Sequence, residues 1–167
     1  MSPQAPAVLE RLLRSNGLGW MIDMYAPPDR AIPALLEKLD QVASAYRTRS
    51  RVGGPFTPEA LETEAEQNPH KVRAFLQALG TSRSAEMLVM VWRILQGLSI
   101  REVVLNYRER EAFSLTVTLA RPGDGQVAPE EYRSQDINDA ALVRHFGIAT
   151  ISGLPLFDGF YPLRVKS

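Results

Sequence analysis

The chain has 167 residues, with 19 basic against 19 acidic side chains, a hydrophobic share of 45% and no cysteine. That length suits one domain burying roughly two-thirds of its unfolded surface, and the composition lies far from the polar, highly charged range in which chains stay disordered. Zero net charge argues against long-range attraction for nucleic acid or an anionic membrane, and the missing cysteine excludes disulfides, thiolate metal sites and thiol nucleophiles.

No run has the length of a bilayer-spanning helix, and the opening lacks the basic-then-apolar order of a secretory leader. A soluble cytoplasmic protein of bacterial style, with no cofactor and no metal, is the expectation. Residues 1–7 hold two prolines and read as a loose tail, and residues 8–167 read as a single α+β domain with a helical part over 8–99 and a sheet part over 100–167. The first helix is expected from Val8 to Arg14, ended by Asn16-Gly17, a pair that tolerates the positive φ of a helix exit. The stretch from Trp20 to Asp29 is ambiguous. If extended, it sets Trp20, Ile22 and Met24 on one face, and Pro27-Pro28 stops it either way.

From Asp29 the pattern is helical to about Thr48, with Pro33 in the first turn and Leu35, Leu36, Leu39, Val42 and Tyr46 on one stripe. Arg47 to Phe56 is a basic linker with paired glycines. Thr57-Pro58-Glu59 then opens a helix in the order cap, proline, acid, and Asn68-Pro69 opens another by the same logic. That second helix buries Val72, Phe75, Leu76 and Leu79 and is expected to stop at Gly80. Residues 84–98 are apolar almost all round: Met87, Leu88, Val91, Trp92, Leu95 and Leu98 share one side, with Met90 and Ile94 beside them. Such a helix should be the most buried element.

At Ile100 the apolar period changes from near four to two. Val103, Leu105 and Tyr107, then Phe113, Leu115, Val117 and Leu119, alternate with polar neighbours as strands do. The Arg-Glu-Arg-Glu between the two runs lacks turn residues, so either a charged loop or a bend in one long strand joins them. Pro122-Gly123-Asp124-Gly125 has strong turn chemistry. Asp136 to Asp139 reads as the cap and first turn of a helix closed by Gly147, and a last extended segment follows from Ile148. The fold class expected is α+β, a helical N-terminal half packed on a small antiparallel sheet formed by the C-terminal half.

Asp136, Asp139 and His145 are the catalytic candidates, because acids and histidine transfer protons and hold metals. The same residues have a structural use, since acids cap a helix start and a histidine suits its end. His70 has no partner at metal-ligand spacing. Arg47, Arg49 and Arg51 could clamp a phosphate, with Tyr46 stacking on a base; arginines also suit a helix C-terminus, and Glu62, Glu64 and Glu66 offer them opposite charge. No glycine pair stands between a strand and a helix as phosphate loops require, and no nucleophile-elbow pattern occurs.

Leu154 to Leu163 is nearly symmetric about Asp158-Gly159, a two-residue hairpin signal that sets Phe157 opposite Phe160 and Pro155 opposite Pro162. Neither proline can donate an N–H, so the ladder ends after one bonded pair and three aromatics are left at a short tip. The tip either closes the core or presents Phe157, Asp158, Phe160 and Tyr161 to a partner. With no motif carrying chemistry, the preferred function is a non-enzymatic interaction or adaptor module that binds a protein, or a second copy of itself, through that tip. One alternative is a small hydrolase-like enzyme whose site is assembled from dispersed Asp, His and Arg side chains, with Asp23, Arg93, Tyr107 and Asp158 among the polar groups available to it. The other is weak nucleic-acid binding through Arg47, Arg49 and Arg51.

Overall fold

The structure is a computed structural model describing residues 2–51, 53–108, 111–121, 129–136, 138–150 and 163–166. The fold is α+β, with helices filling the N-terminal half and strands confined to the C-terminal half. The chain divides into two compact units, Met1–Ala85 and Glu86–Ser167.

In the first unit, α1 spans Ala5–Ser15 and carries a proline in its first two positions, where the missing N–H has no helical acceptor to lose. It begins earlier than the two prolines suggest, because Ala5 joins Val8, Leu9, Leu12 and Leu13 on the buried face. Its exit lies at Asn16 and Gly17, as expected, with Gly17 at φ 71. The ambiguous stretch resolves as a short helix, α2 (Trp20–Asp23), followed by a 3-10 turn over Pro28–Arg30. α3 (Ala31–Ser50) buries Leu35, Leu36, Leu39, Val42 and Tyr46, the expected stripe. α4 (Pro58–Gln67) starts at Thr57, whose side-chain oxygen accepts the Ala60 N–H at 3.2 Å.

α5 (Pro69–Thr81) buries Val72, Phe75, Leu76, Ala78 and Leu79, and it does not stop at Gly80. Gly80 is a point of close approach instead: a methyl group there would come within 2.9 Å of Met21 Cγ and Cε. The end of α5 is held from outside by Lys38, whose Nζ donates to the Leu79 and Ser82 carbonyls at 3.0 Å each. Carbonyls in the last turn of a helix lack internal partners, and a cation there also complements the dipole.

α1 packs on α3 and α4, and α5 on α3 and α4. Among them Phe56 stacks edge-on to Tyr46 with ring centres 5.2 Å apart and leans on Phe75 at 5.4 Å. Each such ring contributes about 1.5–3 kcal/mol by burial and each pair about 0.5–1.5 kcal/mol more. The turn that delivers Phe56 depends on Gly54, which has φ 67 and leaves only 2.6 Å between a would-be methyl and the Phe56 ring.

In the second unit, α6 (Ala85–Leu95) buries every residue from Met87 to Trp92 and also Ile94. It is shorter than the apolar run implied. Gly97 turns to φ 112 and the Leu98 N–H closes back on the Arg93 carbonyl at 3.1 Å, so Leu95 and Leu98 are only half-buried. β1 (Ser99–Arg108) and β2 (Glu111–Ala120) pair antiparallel, with Val103 opposite Val117, Leu105 opposite Leu115 and Arg108 opposite Glu111. β1 and β2 are therefore two antiparallel strands and not one long bent strand. Register shifts between Ile100 and Glu102 and between Asn106 and Arg108 make local bulges of the kind that increase strand twist. In β2, Leu115, Val117 and Leu119 are buried, while Ser114, Thr116 and Thr118 are half-buried.

β3 (Glu130–Ser134) adds antiparallel to the far side of β2, and β4 (Leu163–Lys166) lies parallel to β1, giving the order β3-β2-β1-β4. The expected antiparallel sheet is thus built by β1, β2 and β3 and extended by one parallel strand. Between β3 and β4 runs α7 (Asn138–Thr150), which lies against β1 and buries Leu142, Val143 and Phe146. It continues through Gly147 where an extended segment from Ile148 was expected. A glycine inside a helix costs only about 1 kcal/mol against alanine, too little to end a helix anchored by three buried apolar residues. The expected turn at Pro122 to Gly125 and the tip from Leu154 to Pro162 lie outside the described residues.

Candidate functional site

Four arrangements bear on function, and the first is on α2. Its single turn is closed by the Met24 N–H donating to the Trp20 carbonyl at 3.0 Å, which places residues 20 and 24 above one another on one face. Met21 and Ile22 point inward and are 0% and 4% exposed, while Trp20 and Met24 stand out at 43% and 60%. They are the exposed large apolar side chains among the described residues. Asp23 and the residues from Ala26 to Arg30 around them are also exposed. An apolar pair held in water on an anchored turn can bury itself against another surface, and tryptophan and methionine are both enriched where proteins meet.

The second arrangement surrounds the catalytic candidates. Asp139 is 1% exposed, and its Oδ2 accepts the Ser134 hydroxyl at 2.5 Å. The Ser134 oxygen in turn accepts the Asp136 N–H at 3.0 Å, and Asp136 Oδ1 accepts the Asn138 N–H at 2.9 Å. These bonds fasten the end of β3 to the start of α7, the service that capping residues perform. His145 is exposed and sits six residues along the helix from Asp139, an axial rise of about 9 Å. Asp136 and Asp139 are therefore brought together around Ser134, and His145 stands about two turns further along α7.

Third, Glu130 on β3 is gripped by two groups. Arg93 Nε of α6 lies 3.2 Å from Glu130 Oε2, and the hydroxyl of fully buried Tyr132 donates to the same oxygen. Nearby, Glu86 Oε1 accepts the outward N–H of Arg133 at 2.9 Å. These contacts tie β3 to α6, and the second occupies one of the groups that an edge strand offers to a foreign strand. Sequence reading missed Glu130, Tyr132 and Ser134, since β3 carries one apolar residue and gives almost no periodic signal.

The fourth is the basic segment. Arg47 and Arg49 fall in the last turn of α3 and Arg51 is its left-handed C-cap at φ 65. The Arg47 guanidinium lies over Gly53. Two acids of the α4 run are engaged elsewhere: Glu62 takes a two-pronged bond from Arg11 at 2.9 and 3.0 Å, and Glu64 pairs with Lys71 at 3.3 Å. His70 is exposed near the start of α5. No group of three or more potential metal ligands converges among the described residues. Asp23 is exposed on α2, whereas the side chains of Tyr107, Phe157, Asp158, Phe160 and Tyr161 lie outside the described residues. No helix among the described residues is long and apolar enough to cross a membrane. No protein family, characterised protein or solved structure matches this chain.

Proposed function

We propose that the protein is an interaction module acting in the cytoplasm, and that the Trp20–Met24 face of α2 is its described contact surface. What supports the reading is one observation: a tryptophan and a methionine are held 43% and 60% exposed on a turn whose other side is buried. Burying side chains of this size gains about 1.5–3 kcal/mol each, a gain open to any partner surface that covers them. The occupant we propose is an apolar groove on another protein, which a Trp–Met pair would fill as an anchor. The aromatic tip with Phe157, Asp158, Phe160 and Tyr161 is a second proposed contact, which rests on sequence alone.

The catalytic alternative is weaker because the acids near α7 and the Arg93–Glu130–Tyr132 group are consumed in fastening elements together. Nucleic-acid binding through Arg47, Arg49 and Arg51 is disfavoured by a net charge of zero. A photo-crosslinking residue placed at position 24 in source cells should give one adduct of defined mass. Excess unlabelled protein should compete it away, and Trp20→Ser should abolish it while the circular dichroism stays unchanged. An adduct that survives Trp20→Ser, or none at all, overturns the α2 reading. A Phe160→Ala, Tyr161→Ala double variant tests the tip separately: loss of a partner with an intact fold supports it, and retention of every partner removes it.

A further inference from the structure

Of the five methionines in the chain, Met21, Met87 and Met90 are 0% exposed and Met24 is 60% exposed. Thioether oxidation follows access to the sulfur, and it turns a flexible apolar side chain into a polar, chiral one. Met24 shares its face with Trp20, one helical turn away. Met21, three residues earlier, is instead packed against Gly80 and has no access to solvent. We infer that Met24 is a modification site for hydroperoxide oxidants, and that its oxidation switches the Trp20–Met24 face from apolar to polar without disturbing the fold.

The chemistry is self-contained once a hydroperoxide is present. The Met24 sulfur lone pair attacks one peroxide oxygen, an S–O bond forms and the O–O bond breaks. Sulfur is oxidised to the sulfoxide and the peroxide is reduced; the transferred oxygen gives its proton to the departing hydroxide or alkoxide, which leaves as water from hydrogen peroxide or as an alcohol from an organic hydroperoxide. A sulfoxide reductase reverses the change, because the product remains accessible. At Met21, Met87 or Met90 the same reaction would first require unfolding. The surroundings of Met24 also suit a local switch: Asp23 and the residues from Ala26 to Arg30 are exposed, so a larger polar group displaces no core.

The selectivity can be read within one tryptic peptide, Ser15 to Arg30, which contains both Met21 and Met24. Folded protein treated briefly with dilute hydrogen peroxide should carry sulfoxide on Met24 at roughly tenfold or more the level on Met21, and denaturant should remove the difference. Equal oxidation of the two in the folded state overturns the inference. Its second half rests on the interaction reading. Oxidised protein should lose the crosslinked adduct, now read from a label placed at exposed Ala26, and regain it after sulfoxide reductase treatment. Met24→Leu should keep the adduct through peroxide. Selective oxidation with an undiminished adduct overturns the switch while leaving the interaction reading standing. Failure of Trp20→Ser to affect the adduct would instead sink the interaction reading and leave the selectivity result intact.

Discussion

Gly80 and Lys38 show how single residues set the geometry of the first unit. In sequence, Gly80 reads as a helix stop, because a string of residues gives no sign of what lies across from it. In the fold its missing side chain makes room for Met21, which is 0% exposed. Gly80→Ala should therefore gain about 1 kcal/mol of helix propensity and lose about 1–3 kcal/mol to overpacking, a net destabilisation measurable by urea denaturation. In a Met21→Ala background the clash is gone, and the same substitution should become stabilising. Lys38 bridges two carbonyls at the end of α5, so Lys38→Met should cost about 1–3 kcal/mol by leaving those acceptors unmatched. Arg11→Ala, which breaks an exposed ion pair, should cost no more than about 1 kcal/mol. If thermal melts rank these two in the opposite order, the capping role assigned to Lys38 is wrong.

Among the elements, α6 announced itself in sequence because apolar side chains run all round it, and its burial follows. Its length did not, since the apolar repeat continues to Leu98 while the backbone leaves the helix near Gly97. Leu88 is 1% exposed and Leu95 half-buried. Leu88→Ala should thus cost about 2–5 kcal/mol with an unchanged denaturant slope, and Leu95→Ala clearly less; equal losses would place Leu95 in the core after all. β1 and β2 were legible from their alternation, whereas β3 was not, because only Tyr132 and Ser134 of its five residues are buried. Its position comes from partners distant in sequence, among them Glu86, which covers the Arg133 N–H. Glu86→Ala should speed hydrogen exchange at the Arg133 amide by uncovering it, while the amide of Val117, in the middle of β2, stays protected. An unchanged Arg133 rate would show that the edge is guarded by something else.

Across the whole molecule, the part of the candidate site that sequence could supply was the pairing of Trp20 with Met24, and it holds under either reading of an ambiguous stretch. Read as a strand, residues 20, 22 and 24 share a face. Read as a helix, 20 and 24 still do, and Ile22 swings inward to 4% exposure. Contacts such as Glu130 with Arg93, separated by a turn and two strands, depend on the fold and leave no local trace. The two tryptophans of the chain fall one in each unit and in opposite surroundings: Trp20 is 43% exposed, and Trp92 in α6 is 1% exposed. Native emission should therefore be the sum of a red, iodide-quenchable component from Trp20 and a blue, protected one from Trp92. Trp20→Phe should leave only the blue component, and iodide should then have little effect until denaturant is added. Trp92→Phe, if folded by circular dichroism, should leave a spectrum that iodide quenches fully and that unfolding barely shifts. Binding of a partner at the α2 face would shift the Trp20 component to the blue and protect it, with no change in the Trp92 component. A native Trp20→Phe protein that iodide still quenches strongly would contradict the burial of α6, and a native Trp92→Phe protein that iodide does not quench would contradict the exposed face on which the interaction reading stands.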